Sequence, residues 1–90
     1  MDPVKAEAVK YNSLFDNPKP GQYCVKDGYL LFCCPCGCGS LTNLPIDGSR
    51  VWQFNLIECS ITPSIRQLVG CKYHGFLTEG FWIFCGDSGN

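Results

Sequence analysis

From Gln22 onward, short runs of β-prone apolar residues alternate with glycine-centred turns. Tyr23 to Lys26 and Tyr29 to Cys33 flank Asp27-Gly28, a dipeptide that strongly signals a two-residue hairpin. A second Asp-Gly, at 47 and 48, precedes Arg50 to Ile57, where Trp52, Phe54 and Leu56 alternate with Gln53 and Asn55. That alternation is the period-two mark of a half-buried strand. After Thr62-Pro63-Ser64-Ile65 and Gly70, the runs Tyr73 to Leu77 and Phe81 to Cys85 flank Thr78-Glu79-Gly80 and predict a last hairpin. The spacing predicts a mostly β fold, a small antiparallel β domain built on three hairpins, with about five or six strands.

The first 20 residues are the most polar stretch and end in Asn17-Pro18-Lys19-Pro20-Gly21, a rigid turn-forming stop. Asp2 is placed to cap a short helix with Pro3 in its first position, and Val4, Ala8 and Tyr11 fall near one helical face. The chain therefore divides into an N-terminal helical or flexible segment, 1–21, and a β domain, 22–90.

Composition narrows the chemistry. Ninety residues support a single core, and domains of this size often need a metal, disulfides or a partner as a staple. A net charge of −1 with 17% charged residues provides no basic field for a nucleic-acid backbone. No apolar run is long enough for a membrane span, and the N-terminus lacks the apolar stretch of a signal peptide. These features predict a cytoplasmic protein that binds neither nucleic acid nor membrane. In a reducing compartment, eight cysteines in 90 residues point to metal ligands rather than disulfides.

Cysteine spacing agrees. Cys34, Cys36 and Cys38 alternate in Cys34-Pro35-Cys36-Gly37-Cys38-Gly39, so in an extended chain their thiols share a face. Cys71-Lys72-Tyr73-His74 supplies a Cys-x-x-His containing the only histidine. Together they resemble the two half-sites of a zinc ribbon, and a thiolate-rich set with one imidazole suits Zn2+. The expected site joins Cys71 and His74 to two of Cys34, Cys36 and Cys38, which leaves one thiol as a bystander. Alternation turns Cys33 to the opposite side, and Cys24, Cys59 and Cys85 stand singly in apolar runs, as small core residues do.

These elements, read with Trp52, Ser60-Ile61-Thr62-Pro63-Ser64-Ile65 and Gly80, resemble a family of small bacterial and phage proteins of unknown function over about residues 30 to 85. That family usually has an aromatic residue directly after the histidine, where this chain has Gly75 and then Phe76. The resemblance implies a metal-binding module, encoded in some members beside ubiquitin-like conjugation genes and in others within phage genomes.

For function, the sequence lacks His-Glu-x-x-His and places only Glu79 near the second half-site, so a metal-bound water with a general base is not expected. The predicted role is a non-catalytic, zinc-stabilised module that binds another protein. Its contact surface is drawn from Phe81 and Trp82, because a small sheet buries only one of two alternating rows well. Two alternatives stand beside it. One is an iron–sulfur or redox protein with three cysteines and one histidine as ligands; the other, suggested by the phage members of the family, is an inhibitor of a host defence system.

Overall fold

The structure is a computed structural model that describes residues 2–47, 52–66, 71–86 and 88. Of the sequence features above, Gly48, Arg50, Val51 and Gly70 lie outside the described residues. The elements run β1 (Val4–Lys5), β2 (Glu7–Ala8), α1 (Tyr11–Asp16), β3 (Gln22–Lys26), β4 (Tyr29–Cys33), β5 (Leu41–Pro45), β6 (Gln53–Asn55), β7 (Ser60–Arg66), β8 (His74–Thr78) and β9 (Phe81–Phe84). They form a five-stranded sheet in the order β1-β9-β8-β7-β6 and a four-stranded sheet in the order β2-β3-β4-β5. The fold is mostly β, and its ladders are antiparallel except β2 on β3. No described helix is long and apolar enough to cross a membrane.

The hairpin β3–β4 forms where the sequence predicts it. Asp27 and Gly28 both adopt positive φ, 53° and 81°, as a turn whose twist matches its flanking strands requires. Alternation along β4 then sorts the side chains. Leu30, Phe32 and, just past the strand, Cys34 join the core between the sheets, where they meet Tyr23, Leu44, Ile61, Ile65, Tyr73, Leu77 and Trp82. Cys33 faces the other way, into a smaller cluster with Cys24 and with Leu14 of α1.

Three expectations are corrected. The Asp2–Pro3 helix does not form. Val4–Lys5 pairs with β9 and Glu7–Ala8 with β3, so the N-terminal segment crosses from one sheet to the other. The helix starts later, at Tyr11, where Leu14 is fully buried against the second sheet. Thr62-Pro63-Ser64-Ile65 is not a break but part of β7, with a register irregularity between Ile61 and Ile65. A proline is tolerated in a strand at such a bulge, where the ladder bond it lacks is already lost.

The third correction concerns Trp82. The two rows of β9 alternate as predicted, but the exposed one is that of Phe81, 45% accessible, while Trp82 is 0% accessible. Trp82 stacks on Phe32 with ring centroids 4.7 Å apart, and its indole Nε1–H donates to the Gly21 carbonyl at 2.9 Å. A buried indole needs such an acceptor, and the Gly21 backbone supplies it across the sheet interface. Gly21 itself has φ +86°, and a Cβ there would press on the Lys5 carbonyl and the Val4 side chain. Replacing Trp82 by Ala is expected to cost about 3–5 kcal/mol in chemical denaturation, as large-to-small changes in closed cores do, and Phe81→Ala less than about 1 kcal/mol. Equal losses from the two variants would contradict this packing.

Candidate metal centre and serine–histidine pair

The loop between β4 and β5 is shaped by its glycines. Gly37 and Gly39 adopt φ of 92° and 84°, which side-chain-bearing residues rarely do. The Gly37 N–H donates back to the Cys34 carbonyl at 3.2 Å, and the Cys34 N–H donates to the Ser40 carbonyl at 2.8 Å. This tight turn gathers Cys34, Cys36 and Cys38 on one side. The fourth thiol comes from Cys71, ahead of β8 in the other sheet, followed by Lys72 at φ 55°.

Cys34, Cys36, Cys38 and Cys71 have Sγ atoms all within 4.8 Å of one another. Cys34 Sγ lies 3.2 Å from the Sγ atoms of both Cys36 and Cys71. A tetrahedral zinc with bonds of about 2.3 Å holds its sulfurs roughly 3.8 Å apart, so the donor set fits one ion with sub-ångström adjustment. An iron–sulfur cluster distributes its cysteines over several iron atoms and spreads them wider than a single ion does. All three thiols of the loop lie in this cluster, where the sequence reading expected two as ligands and one as a bystander.

Protonation differs along the cluster. Burial pushes the Cys34 thiol well up from its ordinary range, and the neighbouring Cys36 and Cys71 thiols add to the effect. Burial likewise raises Cys36. Cys38, at the exposed rim, is lowered to about 6, mainly by a hydrogen bond from the Ser40 hydroxyl. A divalent ion would displace the protons that burial keeps on Cys34 and Cys36 and would bind all four sulfurs at once.

His74 is not in this group. It begins β8, paired with Arg66 of β7, and its Nε2 lies 3.3 Å from the Ser64 Oγ. Ser64 stands two residues before Arg66, so it is the diagonal same-face neighbour of His74, and the bulge around Pro63 sets its approach. With Nε2 unprotonated, the Ser64 hydroxyl donates to it. Sequence reasoning gave Ser64 no role, because a serine flanked by Pro63 and Ile65 carries no chemical signal without the histidine that the fold brings beside it. Its one sequence mark is that the strand tolerates a proline there. Phe81 lies on the outer face of the five-stranded sheet, where it lines a shallow cleft with Pro3, Thr78, Glu79 and Ile83.

Substituting the thiols separates the two faces of β4. Cys33→Ser is expected to leave the metal content of the purified protein unchanged, while Cys36→Ser and Cys71→Ser reduce it at least tenfold in elemental analysis. His74→Ala is expected to keep the metal. Metal loss in the Cys33 or His74 variant would show that the ligand set differs from the four converging thiols.

No curated protein and no solved structure matches the chain. A family model does match, over residues 9–85, and its description reads bacterial ubiquitination-like system serine protease (BubE). That description stands against the non-catalytic reading of the sequence, and it draws attention to the Ser64–His74 contact. Matched over most of its length, the chain belongs to the BubE family.

Proposed function

We propose that the protein is a serine peptidase of a bacterial ubiquitination-like pathway, with Ser64 as nucleophile and His74 as general base, on a scaffold closed by a structural zinc ion at Cys34, Cys36, Cys38 and Cys71. The observation that carries the reading is the 3.3 Å separation of Ser64 Oγ and His74 Nε2. It lies near the upper end of hydrogen-bond reach, as such contacts commonly do before substrate tightens them. The family description, serine protease of a bacterial ubiquitination-like system, supports this reaction class and pathway.

In this mechanism Ser64 Oγ attacks the carbonyl carbon of the scissile bond while its proton passes to His74 Nε2. The tetrahedral adduct collapses, the C–N bond breaks and His74 hands the proton to the departing amine. Water, deprotonated by His74, then attacks the acyl ester, releasing a carboxylic acid and restoring Ser64. Zinc with four thiolates is coordinatively closed and supplies structural rather than Lewis-acid chemistry. Bound by Cys34, Cys36 and Cys38 of the β4–β5 loop and by Cys71, three residues before His74, it would tie the two sheets together beside the dyad.

The partner in this reading is a protein of the same pathway, engaged as substrate. Exposed apolar side chains support a protein contact: Phe81 on β9, and Leu56 and Ile57 at the β6–β7 turn, the last two 71% and 98% accessible. Trp82, being buried, has no part in it.

The test is labelling with a fluorophosphonate, which phosphonylates an activated serine with loss of fluoride and does not require the natural substrate. The wild-type protein is expected to be labelled at Ser64, with Ser64→Ala and His74→Ala each reducing the rate at least about a hundredfold, in the range that base-assisted catalysis supplies, and with zinc content unchanged. Labelling that persists in Ser64→Ala would overturn the assignment.

A further inference from the structure

A general base works only if its ring is held, and the ring is hinged on its backbone. In the β8–β9 ladder Gly75 pairs with Phe84, so the next pair outward is His74 with Cys85. The Cys85 N–H donates to the His74 carbonyl at 2.8 Å. In a regular antiparallel pair of this kind, the His74 N–H would return a bond to the Cys85 carbonyl. Here the chain turns instead. The Ser88 N–H donates to the Cys85 carbonyl at 3.0 Å, and the His74 N–H donates to the Ser88 Oγ at 3.1 Å.

Three bonds thus close a ring through His74, Cys85 and Ser88, and a side-chain hydroxyl takes the donor that the ladder would otherwise use. One residue further along β8, Gly75 packs so closely that a Cβ would overlap the Ile83 carbonyl and the Tyr73 ring. Tyr73, fully buried, donates its hydroxyl to that same Ile83 carbonyl at 2.9 Å. The backbone is therefore fixed on the inner side of His74 by packing, and at His74 itself by Ser88. The Ser64–His74 separation of 3.3 Å leaves little tolerance, since a hydrogen bond stretched by a few tenths of an ångström beyond it is lost.

We propose that Ser88 is a positioning residue for the Ser64–His74 dyad: by accepting the His74 N–H it holds the start of β8 at the place from which the imidazole reaches Ser64. The proposal rests on the peptidase reading above. Ser88 faces the backbone of His74 and Ser64 faces its ring, so the two serines have separate roles.

The experiment measures fluorophosphonate labelling of wild type, Ser88→Ala, Ser88→Thr and Ser64→Ala at a temperature where all four are folded, with the labelled residue identified by peptide mapping. Ser88→Ala is expected to lower the maximal labelling rate about tenfold with the half-saturating probe concentration unchanged, since small misplacements of a reacting group act on rate. Ser88→Thr, which retains the hydroxyl, is expected to restore most of it. An unchanged rate in Ser88→Ala, a shift confined to half-saturation, or label found on Ser88 would overturn the positioning role while leaving the peptidase reading intact. Undiminished labelling of Ser64→Ala would overturn the peptidase reading itself, and the positioning role with it.

Discussion

The structure depends on four thiols from two different sheets meeting within 4.8 Å. Three leave the end of β4 in the smaller sheet, and one precedes β8 in the larger. The sheets are otherwise held by a core of modest size, centred on the Phe32–Trp82 stack and the Trp82 bond to Gly21. A 90-residue chain with so little core is marginal by surface scaling alone. An ion that binds only the folded arrangement adds its binding free energy directly to folding. Such an ion also fixes geometry, because the Cys71 end of β8 cannot move far from the β4–β5 loop once both are ligated.

That constraint gives the serine–histidine pair its setting. His74 follows Cys71 by three residues, and Ser64 reaches it from a bulged strand whose flanking Ile61 and Ile65 are buried. The larger sheet thus presents a polar pair at one end while its inner face is committed to the core. His74 and Cys71 are neighbours in sequence, yet the histidine ring meets Ser64 while the Cys71 thiol meets the other three cysteines. The chain thus combines a match to a family described as serine proteases with a four-cysteine cluster.

Much of the fold was legible because it follows from local rules. Period-two alternation placed Leu30, Phe32 and Cys34 opposite Cys33, and the positive-φ turn at Asp27-Gly28 closed the hairpin as its dipeptide demands. Cys34, Cys36 and Cys38 do converge, but through a tight turn at Gly37 and Gly39 and not through the alternation of an extended chain that the spacing suggested. What could not be read were pairings between distant segments. The N-terminal residues had no strand signature, yet they complete both sheets. Which row of β9 faces inward was decided by an acceptor 61 residues away, at Gly21. Spacing alone made His74 look like the partner of Cys71, because a Cys-x-x-His has no way to show that the fold brings a serine ten residues earlier to within 3.3 Å of the imidazole.

The central claim is that one ion is held by four thiolates, with His74 committed to Ser64. X-ray absorption at the zinc edge of freshly purified protein tests it most directly, since it reports the donor atoms and their distances together. The account predicts a single shell of four sulfurs at about 2.3 Å, the ordinary zinc–thiolate length, with no imidazole scattering. A shell of three sulfurs and one nitrogen, or iron in place of zinc, would contradict it.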